Sequence, residues 1–141
     1  MKRIILVFAL LPYLAWANEK TLDISIVQLL ADPSTYEGKR VAVSGFLKME
    51  FEGNAIYLHE DDYKNQIYKN GFWVRSGSEI SPSLYDARDG YARVEGRFTT
   101  QRKGHFGLWS GTIEEIDRVI LLPIERESKP IEIPTNGYKN K

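Results

Sequence analysis

At 141 residues, with 19 basic against 19 acidic side chains and no cysteine, the chain has the size of one domain that folds on packing alone, without disulfides. The balanced charge excludes a general electrostatic drive toward nucleic acid, which depends on a basic face, and the missing thiol excludes a cysteine nucleophile. In chain order, Lys2 and Arg3 precede an apolar run from Ile4 to Tyr13, and Ala15-Trp16-Ala17 follows. A basic start, a short apolar centre and an A-x-A site predict a signal peptide over residues 1–17, cleaved after Ala17, and a periplasmic or secreted product. Pro12 interrupts the run well short of the roughly 20 residues that a membrane span needs, so stable membrane insertion is not expected. Loss of Lys2 and Arg3 would leave two more carboxylates than cations.

Between Thr21 and Glu37, the spacing of Ile26, Leu29 and Leu30 predicts a short helix, with Asp23 or Ser25 as its N-cap. Asp32-Pro33 ends that turn and starts another, because a residue before proline avoids the helical region, and Tyr36 closes the second turn onto the core. From Arg40 the period changes to two. A first strand carries Val41, Val43 and Leu47 on one face around Gly45, and a second covers Ala55 to His59. A polar segment, 60–70, leads to a third strand over Gly71 to Arg75. A loop follows to Gly90, with a short helix expected near Ser81 to Tyr85. The fourth strand spans Tyr91 to Thr99 and the fifth about Phe106 to Val119. Val43-Ser44-Gly45 and Val94-Glu95-Gly96 share a V-x-G pattern that predicts a bend in each strand. Five short strands, two of them bent, predict an all-β domain with one short N-terminal helix, closed into a barrel over residues 18–122. The three prolines after Leu122 and the lack of a usable period predict a tail over 123–141 that runs across the surface or is partly disordered.

The run Asp32-Pro33, Tyr36, Gly38-Lys39, Val41, Val43, Gly45 and the second V-x-G resemble the exported bacterial OB-fold proteins. These are periplasmic relatives of the tRNA-anticodon-binding OB domain. FEGNAIYLHEDDY and KGHFGLWSGTI resemble segments of a small secreted family in that group, and the likeness covers Ile24 to Val119. It implies a five-stranded OB-like Greek-key barrel. It also implies a binding surface for an oligonucleotide, an oligosaccharide, a peptide or a protein on the face of the second and third strands and the loops around it.

The cluster His59-Glu60-Asp61-Asp62 invites a metal reading, but His59 ends the second strand while His105 lies between the fourth and fifth, on the order of 15 Å away in such a barrel. No calcium-loop pattern is present, so a solvated strand end is expected and no metal or other cofactor. No G-x-S-x-G elbow and no H-E-x-x-H pair supplies catalytic chemistry, and scattered Arg75, Arg93 and Arg97 do not make a phosphodiesterase site. A nuclease-like enzyme is therefore the third reading.

Binding has better residues. If Ile56, Leu58, Phe72 and Val74 point inward, then Tyr57, His59, Trp73 and Arg75 point outward on adjacent strands. The alternative is that the N-terminal helix or the C-terminal tail covers this face and makes Tyr57 and Trp73 a satellite core. In KGHFGLWSG, Gly104 supplies the positive φ of a hairpin turn, Gly107 and Gly111 allow close approach within the last strand, and Arg102, Lys103 and His105 remain free at the tip. The expectation is a non-catalytic binding or interaction module, with an envelope protein as partner. The alternative is an oligosaccharide or single-stranded nucleic acid.

Overall fold

A computed structural model describes residues 19–50, 53–75 and 89–123. The expected leader, the helix expected near 81–85 and the tail from 124 onward lie outside these residues.

The N-terminal segment is set by its caps. The Ser25 hydroxyl accepts a hydrogen bond from the Gln28 amide at 3.1 Å, and the Gln28 side chain accepts one from the Ser25 amide at 2.9 Å. This capping box starts helix α1, Ile26–Ala31, and selects Ser25 over Asp23 as N-cap. Asp32 ends α1 and caps the 3-10 turn Pro33–Tyr36, taking hydrogen bonds from the Ser34 hydroxyl at 2.8 Å and the Thr35 hydroxyl at 2.6 Å. A two-residue strand β1, Leu22–Asp23, precedes α1 and runs parallel to β2, Arg40–Lys48. The sequence pattern did not signal β1.

The remaining strands are β3, Ala55–Tyr57, β4, Gly71–Val74, β5, Gly90–Thr99, and β6, Thr112–Leu121. They close in the order β2-β3-β4-β6-β5-β2, with β4 and β6 parallel and the other neighbours antiparallel. This is a five-stranded OB-like barrel, and closure pairs strand edges that would otherwise template aggregation. Its interior holds Val41, Val43, Leu47, Ile56, Phe72, Val74, Val94, Phe98 and Ile113, and α1 adds Ile26 and Leu29. Each such side chain contributes about 1.5–3 kcal/mol by leaving water.

The two V-x-G glycines do different jobs. Gly96 lies where the β5–β6 register shifts, and a Cβ there would meet the Glu114 carbonyl oxygen at 2.7 Å. That is a bulge, as expected. Gly45 stays in regular register opposite Ala92. A Cβ there would lie 2.3 Å from the Tyr57 carbonyl oxygen and 2.5 Å from Ile26 Cδ1, so its bare backbone makes room for α1.

Three further expectations are corrected. The polar segment folds as helix α2, Glu60–Lys64, and a 3-10 turn, Tyr68–Asn70, so the second strand of the barrel stops at Tyr57 and His59 begins α2. The last strand begins at Thr112 and not near Phe106, because a 3-10 turn occupies His105–Gly107. Gly107 therefore lies outside the strand, and a Cβ there would meet nothing within 4 Å. Among the described residues no helix is long and apolar enough to cross a membrane.

Candidate binding surface

Strand alternation governs what β3 and β4 present. Phe72 and Val74 enter the barrel, and Trp73 lies on the other face beside Ala55. Tyr57 shares that outer face, yet it is only 1% exposed. The expectation of an open Tyr57 is thus corrected. Among the described residues its cover comes from α2 and the β5–β6 loop: Tyr63 of α2 lies 5.8 Å from it, ring centre to ring centre, and the Trp109 indole N–H donates to its hydroxyl at 3.2 Å. Burial pushes the Tyr57 hydroxyl up from its ordinary pKa, and the indole hydrogen bond only partly offsets this, so it stays protonated.

The loop between β5 and β6 is tied down along its length. Glu37 accepts from the Thr99 hydroxyl at 2.6 Å and from the Thr100 amide and hydroxyl at 2.6 and 2.7 Å, which holds its carboxyl below the usual range. The Thr112 hydroxyl donates to the Arg102 carbonyl at 2.8 Å, and the Trp109 amide donates to the Lys103 carbonyl at 3.2 Å. Lys69 Nζ donates to the Gly107 carbonyl at 3.2 Å. Gly104 has φ +67°, and a Cβ there would lie 2.6 Å from the Trp109 ring and 2.7 Å from that of Trp73. Its backbone is therefore pressed against both indoles, which meet edge to face at 4.8 Å and 66°. At the tip, Phe106 adopts φ +53° and is 94% exposed.

Two grooves flank this loop. One, of about 540 Å³, is walled by Trp73, Arg75, Arg102, Lys103, Gly104 and His105. The His105 and Trp73 ring centres are 5.8 Å apart. Arg75 reaches Glu114 at 3.3 Å, and Arg102 pairs with the same carboxylate. Five of the expected binding residues, Trp73, Arg75, Arg102, Lys103 and His105, thus meet here, while Tyr57 is sealed beneath the neighbouring surface and His59 stands apart as an exposed residue at the start of α2.

The second groove, of about 480 Å³, lies across the loop and is lined by Glu50, Tyr63, Gln66, Tyr68 and Trp109, with His105 and Phe106 at its lip. Sequence reasoning missed it. The available signal was the pair Tyr63 and Tyr68, two aromatics in a segment that is polar apart from them and Ile67.

The acidic run next to His59 is occupied by folding. Asp62 is buried and accepts from the His59 amide at 3.0 Å and the Asn70 side-chain amide at 2.8 Å. Among the described residues no group of three or more His, Asp or Glu side chains is arranged to hold a metal ion. No family model, curated protein or solved structure matches the chain.

Proposed function

We propose that the chain is a non-catalytic binding module of the bacterial envelope, exported after cleavage at Ala17, that grips a protein partner in the groove at Trp73. The convergence of Trp73 and Arg75 from the end of β4 with Arg102, Lys103 and His105 from the β5–β6 loop carries this reading. Tryptophan and arginine supply most of the energy at protein interfaces, because each pairs a large apolar surface with directional donors. Here the indole is partly buried and braced by Trp109, so little side-chain freedom is lost on binding. Glu114 neutralises part of the Arg75 and Arg102 charge, which suits a mixed protein surface better than a polyphosphate. The kinship with exported OB-fold proteins rests on Asp32-Pro33, Gly38-Lys39 and the two V-x-G pairs, and the closed barrel is compatible with it.

The test is capture from an envelope extract, followed by titration of the captured protein. Trp73→Ala should keep the wild-type circular dichroism and weaken the partner's affinity by about 30-fold, the effect of losing roughly 2 kcal/mol at a hot spot. Equal capture by Trp73→Ala would overturn the assignment. So would binding of an oligothymidylate that falls steeply with salt, which marks a polyanion site.

A further inference from the structure

We infer that the tip of the β5–β6 loop, Gly104 to Leu108, docks on the surface of a bilayer that carries anionic headgroups, with Phe106 as the side chain that enters it. Phe106 and Leu108 are not walls of the Trp73 groove, so this contact does not depend on the protein-binding reading.

Phe106 combines two features that folding disfavours. Its φ of +53° and ψ of 13° lie in the left-handed region, where a bulky side chain is strained, and its ring is 94% exposed. Strain of this kind persists only where the surroundings impose it, and here they do. The Trp109 amide donates to the Lys103 carbonyl at 3.2 Å and closes residues 104–108 into a loop. Within it the Leu108 amide donates to the His105 carbonyl at 3.3 Å. Gly104 is pressed against the Trp73 and Trp109 rings, and Lys69 Nζ holds the Gly107 carbonyl. The tip is therefore fixed in shape before any contact. A Cβ at Gly107 would meet nothing within 4 Å, so that side of the tip faces open space. Leu108, 37% exposed, adds a second apolar side chain beside Phe106.

The charge nearest the tip is positive. Lys103 immediately precedes it and Lys69 reaches its last turn, and among the described residues neither has a carboxylate partner. Arg75 and Arg102 share the carboxylate of Glu114, which leaves one positive charge over. The carboxylates on the other side are already engaged. Glu60 pairs with Lys64 at 3.0 Å, and Glu50, across the second groove, lies 3.5 Å from Lys48 and accepts the Tyr63 hydroxyl.

An apolar point flanked by cations matches an anionic bilayer surface. The cations gain from the negative surface potential, and the apolar side chains gain by entering the boundary between headgroups and acyl chains. A protein partner is the weaker match for the tip itself. Protein interfaces are depleted in lysine, and their anchors sit in packed pockets inside a rim that excludes water, whereas Phe106 projects almost wholly into solvent. Docking of this kind is peripheral and reversible. It needs no spanning helix, and the described residues contain none.

The experiment uses the exported protein from Asn18 onward, because an apolar leader would itself bind lipid. Vesicles of phosphatidylcholine alone, or with an equal part of phosphatidylglycerol, are floated with the protein and the bound fraction is measured. The mixed vesicles should bind it about 25-fold more tightly than pure phosphatidylcholine, the combined effect of two unpaired lysines at an anionic surface. Lys103→Gln should weaken that binding about fivefold, the share of one cation. Phe106→Gly should weaken it about tenfold while the urea midpoint stays equal to wild type or rises, because strain is relieved and almost no buried surface is lost. Phe106→Trp should add tryptophan emission that chain-brominated lipid quenches beyond any quenching of the wild type.

The inference is overturned if the mixed vesicles are not bound, if Phe106→Gly binds them as the wild type does, or if it lowers the urea midpoint. Phe106→Trp emission that escapes quenching would also overturn it, by showing adsorption through charge alone. Loss of a captured protein or of oligothymidylate in Phe106→Gly, with vesicle binding kept, would assign the tip to that ligand instead.

Discussion

Gly104 and Gly107 both hold a left-handed backbone, with φ of +67° and +69°, but their surroundings separate two costs that are usually confounded. At Gly107 a Cβ would enter open space, so Gly107→Ala adds only backbone strain, about 1–2 kcal/mol. At Gly104 the same methyl would strike the Trp73 and Trp109 rings, adding an overpacking cost of about 1–3 kcal/mol. Urea unfolding should therefore rank Gly104→Ala below Gly107→Ala by the overpacking part. Equal losses would mean that the indoles move freely. Their mobility would remove the rigid wall on which both grooves rely. Phe106 poses the complementary problem, since a bulky side chain at φ +53° is strained and its ring gains almost no burial in return. Folding alone gives it no reward.

Among elements, the five barrel strands and α1 were legible because burial writes a period into the sequence, which the two residues of β1 are too few to show. Phe72 and Val74 fall on one face and Trp73 on the other, and α1 shows its apolar spacing and its Ser25 cap. Helix α2 was not legible, since Glu60-Asp61-Asp62-Tyr63-Lys64 has no apolar period. Its signal is the charge order, three acids in the first turn and a lysine in the last, which complements the helix dipole. That omission propagated to the site. Without α2 and the placement of Trp109, the sequence offered only the N-terminal helix or the tail as a cover for Tyr57, whereas Trp73, Arg75 and the loop tip could be placed together from parity and hairpin logic alone. The join between the turn after α1 and the β5–β6 loop is also testable. Glu37 is held below its ordinary pKa by hydrogen bonds that exist only in the folded state. A depressed folded pKa contributes stability above the unfolded value, about 4.3 for Glu, and that contribution is lost as pH falls through the folded value. Glu37→Gln should therefore lower the urea midpoint at pH 7, and the gap to wild type should narrow steadily as the pH is brought below about 4.3. A gap of constant size down to pH 3 would assign Glu37 a role that does not involve its charge.

For the whole molecule, the barrel is closed unevenly, and the weak closure lies beneath the proposed protein-binding groove. β2 and β5 pair along eight positions, from Arg40↔Arg97 to Leu47↔Gly90, and β5 and β6 form a long hairpin. β4 and β6 meet in parallel only at Trp73↔Thr112 and Val74↔Ile113. Across that seam the Trp73 amide donates to the Gly111 carbonyl and the Arg75 amide to the Ile113 carbonyl, both at 2.9 Å. These amides belong to the residues that wall the Trp73 groove. A short parallel seam opens at a smaller free-energy cost than a long antiparallel ladder, because fewer bonds break together. Native-state hydrogen exchange should therefore find the Trp73 and Arg75 amides exchanging faster than those of Val43 and Val94, which face each other in the β2–β5 ladder, by about a hundredfold if the openings differ by roughly 3 kcal/mol. Ligation of the Trp73 groove should slow the seam amides selectively, since a partner that binds only the closed seam stabilises it by mass action. Uniform protection across both ladders, before and after binding, would show instead that the barrel opens only as a whole and that the seam is not a separate unit.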